Sequence, residues 1–233
     1  MKRYLILLWL AWFVLIYGFQ WVATTRTELQ RPDRSVFWSA GETTFASNSD
    51  KIYLNEPFMN RQVAWDSEYY LGIAVGGYDD PEAGRVQNPA TGQMVIKNYS
   101  FFPFYPYIMR ALVLPLNLFG LSPIGTATLA GLIVTLLGTL AGMFALWDLT
   151  LHLFDEETAQ RAVFYMLIFP SAFFFAQIYT EGLFVGLAFS SLALTKRKQW
   201  ALASLLGMLA AVTRAHGAAL CLPLIFAWSM NID

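Results

Sequence analysis

The chain has 233 residues, of which 57% are hydrophobic, 16% aromatic and only 13% charged, with a mean hydropathy of +0.47. That composition excludes an ordinary soluble domain, and a net charge of -1 excludes the basic surface that nucleic acid needs. The single cysteine, Cys221, rules out a disulfide framework or a cysteine-rich metal site and, lying in an apolar run, is expected to be a packed core residue.

Lys2 and Arg3 precede an apolar run from Tyr4 to about Ala23. At ~1.5 Å per residue this run crosses a ~30 Å hydrocarbon core, so residues 1–23 are expected to form a first transmembrane helix. The run is longer than the core of a signal peptide, and "WVATTRTE" offers no small-residue cleavage site, so the helix is expected to remain as an anchor. With the basic residues inside, the next segment faces outward.

Residues 23 to 100 hold seven basic and ten acidic side chains, which marks 24–100 as a large extracytoplasmic loop. Within it, "NRQVAWDSEYYLGIAVGG" begins with Asn60, a residue suited to capping, and ends in Gly76 and Gly77, which stop helices. A short interfacial helix is therefore expected over 61–75, its aromatics at the membrane surface. Spacings of three and four put Asp66, Tyr69, Tyr70 and Ile73 on one face, with Glu68 beside them. A carboxylate half shielded from water gains basicity and suits a general base that deprotonates an attacking hydroxyl. The competing expectation is that Asp66 merely pairs with Arg61 or caps a turn.

Further along the loop, "YDDPE", Asp79 to Glu82, clusters carboxylates without the spacing of a calcium loop, so it reads as a solvated turn and no metal site is assigned. A hairpin is expected over 85–98, turning at Asn88 to Gly92, and Asn98-Tyr99-Ser100 matches a glycosylation sequon.

Residues 101–233 read as a transmembrane bundle. "FFPFYPYIMRALVLPLNLFG" and "IGTATLAGLIVTLLGTLAGMFALW" give two spans, and the polar stretch "DLTLHLFDEETAQR" is expected to interrupt the helices after them. The 34 residues from Ala162 to Thr195 then contain one charge, Glu181. At roughly 50 Å of helix they are too long for one span, so Pro170 is expected to divide them into a short re-entrant piece and one full span. The basic "KRK" at Lys196 to Lys198 is cytoplasmic by the positive-inside rule. From it, about 21–22 Å of helix leads back to Glu181 in one direction and to Arg214 in the other, placing both toward the outer face.

An ionisable group at membrane depth is costly and is either functional or paired. One expectation is that Glu181 and Arg214 simply pair. The other gives Arg214 a phosphate, since guanidinium matches phosphate oxygens bidentately, with Glu181 orienting it and His216 as a second donor.

Four blocks, "WDSEYYLGIAVGGY", "SFFPFYP", "FPSAFFFAQIYTEGLF" and "TRAHG", together resemble the PIG-V mannosyltransferases, which include the enzyme that adds the second mannose to GPI anchors and its prokaryotic relatives. The resemblance covers nearly the whole chain from residue 60. It implies a polytopic GT-C fold, a polyprenyl- or dolichyl-phosphate mannose donor, and a catalytic acid in the first outer loop that maps to Asp66. It maps the family's Tyr-Ser-Glu block to Tyr179 and Glu181 and its Arg-Ser-Asn-Gly block to Arg214, with Thr180, Ala215 and His216 departing from the pattern. It further implies a bundle of roughly ten spans or more, against the five counted here, so the chain is expected to be an N-terminal part or half of a split enzyme, with a second membrane subunit as a possible partner.

The resulting expectation is an all-α polytopic membrane protein, a GT-C-like helical bundle whose first extracytoplasmic loop carries short interfacial helices. It transfers mannose with inversion to a lipid-linked or glycan acceptor, in the plasma membrane of a prokaryote or the endoplasmic reticulum of a eukaryote. Asp66 is the base, and Glu68, Tyr70, Tyr179, Glu181, Arg214 and His216 bind substrate. No cofactor is expected beyond the lipid-phosphate sugar itself. The competing readings are a non-enzymatic membrane subunit for transport or lipid handling, with Glu181 and Arg214 lining a polar path, and an inactive partial relative that needs a partner chain.

Overall fold

The computed structural model describes residues 2–26, 62–63, 66–79, 85–121 and 123–230. In chain order these form α1 (Lys2–Arg26), α2 (Ser67–Gly76), strands β1 (Arg85–Gln87) and β2 (Met94–Ile96), α3 (Phe104–Leu116), α4 (Pro123–Leu153), α5 (Glu156–Ile168), α6 (Thr180–Lys196), α7 (Trp200–Ala211) and α8 (Cys221–Met230). Single turns of 3-10 helix connect them at Lys97–Ser100, Asn117–Phe119, Ala172–Ala176 and Ala215–Leu220. The described part is thus mostly helical.

Among the described residues two helices are long and apolar enough to cross a membrane, Lys2–Ala23 and Pro123–Leu153. The other apolar helices are shorter than the roughly 20 residues that a full crossing takes. The chain divides into two units: the first comprises Met1–Gly18, Val134–Ala176 and Thr180–Asp233, and the second Phe19–Ile133 with Gln177–Tyr179.

In the first unit, one face of α1 packs Leu5 and Trp12 against Met143 and Trp147 of α4 and Ala159 and Val163 of α5. Its other face leaves Leu7, Val14 and Leu15 more than 60% exposed, as suits a helix surrounded by hydrocarbon. Tyr17 closes this core by donating its hydroxyl to the carbonyl of Ala176 at 3.0 Å.

Where α4 meets α6, two Gly-x-x-x-Gly stretches, Gly138 to Gly142 and Gly182 to Gly186, bring backbone against backbone. A Cβ on Gly182 would stand 2.4 Å from the carbonyl oxygen of Thr135, and one on Gly186 2.5 Å from that of Gly138. Small residues permit this approach, which in hydrocarbon is what generates dispersion contact between helices. The Thr139 hydroxyl is shared between the Thr135 carbonyl of its own helix and the Phe175 carbonyl, each at 2.9 Å. On the other side of α6, Ser191 donates to the Ala203 carbonyl at 2.7 Å and ties α7 alongside.

Two expectations need correction in this unit. The "DLTLHL" stretch does not interrupt α4, which continues to Leu153. Its polar groups are satisfied in place: Thr150 donates to the Leu146 carbonyl at 2.8 Å, and Asp148 pairs with Arg197 at 2.5 Å. The break falls at Phe154 and Asp155, where the Asp155 side chain accepts the Thr158 N–H at 2.7 Å and caps α5. That hydrogen bond holds the Asp155 carboxyl below the usual carboxylate range. Cys221 is exposed, not packed in a core.

In the second unit, α2 starts later than expected. Asn60, Arg61 and Trp65 lie outside the described residues; Val63 is not helical and Asp66 stands in the capping position, so the helix is Ser67–Gly76, not 61–75. Gly77, at φ 90°, ends it, and its N–H closes on the Ile73 carbonyl at 3.0 Å. Asn98 donates to the Gly77 carbonyl at 3.3 Å and Tyr78 to the Phe101 carbonyl at 2.8 Å, tying the end of α2 to the chain that leads into α3. Burial, followed by Tyr107, pushes the Tyr78 phenol up to about 12. β1 and β2 pair antiparallel with Val86 opposite Val95, and the chain turns between Asn88 and Gln93. In α3, Pro106 sits in the first turn, where a missing N–H costs little. Tyr105 and Met109, one turn apart, are fully buried, and the Tyr105 hydroxyl donates to the Gly131 carbonyl of α4 at 3.0 Å.

Candidate active site

The second unit holds Asp66, Glu68, Tyr70 and Tyr179. Asp66 precedes the first residue of α2, and its carbonyl already accepts the N–H groups of Tyr69 and Tyr70 at 3.1 and 3.3 Å. Its own N–H donates to the Tyr179 hydroxyl at 3.0 Å. Next to it, Ser67 donates to the Ile178 carbonyl at 3.0 Å, a buried contact. The backbone that carries Asp66 is therefore fixed on both sides, yet its side chain is exposed. Asp66 is exposed, whereas Tyr69, Tyr70 and Ile73 are buried.

Behind Asp66 lies an aromatic cluster. The Tyr70 ring meets Phe101, Tyr105 and Tyr179 edge-on, with centroids at 5.4, 5.2 and 6.2 Å. Tyr69 stacks on Phe101 at 4.5 Å, and Lys97 Nζ lies 5.0 Å from the Tyr69 centroid. Such offset and edge contacts are worth ~1 kcal/mol each beyond area burial, so the cluster makes a stiff backing. Glu68 is buried in the first turn of α2, at 4% exposure, where the positive end of the helix favours a carboxylate. Asp79 engages the Tyr99 hydroxyl, a contact that raises the Tyr99 phenol above its ordinary value. The rest of the "DDPE" cluster is outside the described residues, among which no three His, Cys, Asp or Glu side chains gather as metal ligands.

The first unit holds Glu181, Arg214 and His216. Arg214 Nη1 donates to both the Glu181 carboxylate and the Thr180 hydroxyl, the latter at 3.0 Å. The pair is about a quarter to a third exposed. It is also half committed. Among the described residues Glu181 Oε2 is buried without a partner, and neither Nε nor Nη2 of Arg214 donates. Thr180 and Glu181 form the first turn of α6, whose unpaired N–H groups and dipole attract negative charge. His216 is exposed in the turn after Arg214 and makes no hydrogen bond with the pair among the described residues.

The structure thus joins Asp66 with Tyr70 and Tyr179 in one unit and Glu181 with Arg214 in the other, and leaves His216 aside. Sequence reasoning missed Ser67, Ile178 and the active part of Thr180. The available signal for Thr180 was its place as the first residue of a helix that opens Thr-Glu, a pattern of helix starts.

No curated protein and no solved structure matches the chain. The pattern of the family described as Mannosyltransferase (PIG-V) matches residues 3–227, through both units and across every residue just described. The non-enzymatic reading falls with that match. The chain belongs to the PIG-V mannosyltransferase family, a family of membrane-associated enzymes, and is a glycosyltransferase.

Proposed function

We propose that this enzyme moves mannose from a polyprenyl- or dolichyl-phosphate donor to a hydroxyl of a lipid-linked or glycan acceptor on the extracytoplasmic face of a multi-pass bundle. Asp66 takes the proton of the acceptor hydroxyl as its oxygen attacks the anomeric carbon. In the same displacement the bond from that carbon to the donor phosphate oxygen breaks, and polyprenyl phosphate leaves. One base and no protein nucleophile give a single displacement, hence inversion.

The leaving phosphate gains negative charge as it departs, and Arg214 with the first turn of α6 offers the donors to stabilise it. Glu181 keeps the guanidinium in place and presents Oε2 to a sugar or acceptor hydroxyl. Tyr179 holds the backbone under Asp66, and Tyr70, with Glu68 behind it, belongs to the wall against which the sugar rests. His216 is a further phosphate donor. A monophosphate leaving group opposite a guanidinium needs no metal or other cofactor.

The observation that supports this reading most is the half-committed ion pair. A pair serving the fold alone satisfies both carboxylate oxygens, because a buried unpaired acceptor costs about 1–3 kcal/mol. Among the described residues one oxygen of Glu181 and two nitrogens of Arg214 are unspent, and a phosphate with a neighbouring hydroxyl matches that set.

The test is transfer by the purified chain in lipid nanodiscs, given radiolabelled mannose either on polyprenyl phosphate or on a nucleoside diphosphate, with a membrane lipid extract as acceptor. Label is expected to move from the polyprenyl donor only. Transfer from the nucleotide sugar, or from neither donor, would count against the reading.

A further inference from the structure

Toward the end of α6 opposite Glu181, the first unit has an open pocket of about 500 Å³. Lys2 of α1, Asp148 of α4, and Ser190 and Arg197 at the end of α6 supply its polar side chains. The rest of the wall is apolar and includes Phe144, Ala145, Leu151 and Leu194. The reaction proposed above uses none of these residues.

The charges around the cavity do not cancel. Asp148 pairs with Arg197, a contact in which the arginine side chain remains 51% exposed, whereas Lys2 makes no ion pair among the described residues. The lining therefore carries one net positive charge, and exposed Arg3, Lys196 and Lys198 add to the field at the same ends of α1 and α6. Trp147 also lines the cavity, and among the described residues its buried indole N–H has no acceptor. A donor left unpaired at 2% exposure costs free energy unless a ligand or water meets it.

We infer that this cavity binds an anionic phospholipid. Its phosphate sits at the rim with Lys2, Arg197 and Ser190, and the upper part of an acyl chain lies along Phe144, Ala145 and Leu194. Three features select that ligand. The volume is in the range of small-molecule sites. A cationic rim over an apolar wall has the same order of polarity as a phospholipid. Lys2, Arg3 and Lys196 to Lys198 mark this end as the one that the positive-inside rule sets against the anionic leaflet, where basic pockets between helices hold lipid headgroups. The lipid would fasten the start of α1 to the end of α6 without taking part in mannose transfer.

Native mass spectrometry of the purified chain tests the inference, with phosphatidylglycerol and phosphatidylcholine of identical acyl chains as probes. The expected result is retention of phosphatidylglycerol over phosphatidylcholine, at least tenfold weaker in Lys2→Gln/Arg197→Gln and stronger in Asp148→Asn, which releases Arg197. All three positions are at the rim, so the variants are expected to fold, and a melting curve for each confirms it. Equal retention of the two lipids, retention of phosphatidylglycerol unchanged in the double variant, or its displacement by soluble glycerol phosphate would each overturn a lipid site. Mannose transfer measured in parallel separates this inference from the catalytic reading, since either can fail alone.

Discussion

The molecule holds its two key acids in opposite ways. Glu181 is built into the first turn of a helix, paired with Arg214 and set in a unit where glycines let helices touch backbone to backbone. Asp66 stands just before a helix in a unit held by tyrosine rings and hydroxyls; its backbone is pinned by Tyr179 and Ser67, and its side chain is exposed. An acid placed like Glu181 is tied to the fold, so its removal disturbs stability as well as binding. An acid placed like Asp66 can be altered with little cost to folding. The lesson is that function and stability should separate in the second unit and travel together in the first.

The sharpest way to break that contrast is in the glycine seam. Gly182→Ala puts a Cβ 2.4 Å from a backbone oxygen that has nowhere to move, so stability in detergent is expected to fall by about 3 kcal/mol, read as melting temperature. An unchanged melting temperature would mean that the seam is looser than described. Next in size, Arg214→Ala leaves Glu181 uncompensated. With the pair a quarter to a third exposed, screening reduces the penalty to roughly 1–3 kcal/mol, and transfer is lost along with it.

In the second unit, Tyr179→Phe removes the acceptor of the Asp66 N–H and should lower turnover roughly fivefold, in keeping with ~1 kcal/mol for one hydrogen bond, while KM for the donor stays within about twofold. A pure rise in KM would assign Tyr179 to donor binding instead. The smallest effect concerns Asp155. Its carboxyl titrates below the ordinary value of 3.8, so the cap on α5 is fully present above that value and is lost as pH falls through the lowered one. The hydrogen-exchange protection factor of the Thr158 amide should therefore drop as pH falls below 3.8.

Legibility followed the range of the physics. Local signals were readable: the apolar run that became α1, the proline at 170 just past the end of α5, and the glycine at 77 that ends α2. What was missed depends on partners distant in sequence. The polar stretch after Trp147 looked like a break because Arg197, 49 residues away, was not visible as the partner of Asp148. The facing Gly-x-x-x-Gly stretches carry meaning only once α4 and α6 are seen side by side. Spacing alone grouped Asp66 with Tyr69, Tyr70 and Ile73, but burial also depends on what packs over each position, and it leaves Asp66 exposed.

The most direct measurement of the central claim is Asp66→Asn at matched expression, with mannose transfer from polyprenyl-phosphate mannose and melting temperature read on the same preparation. Transfer is expected to fall by roughly 10²–10⁴-fold, the usual worth of a general base, with melting unchanged because the residue is exposed and asparagine has nearly the same shape. Transfer equal to wild type would contradict this and remove Asp66 as the base.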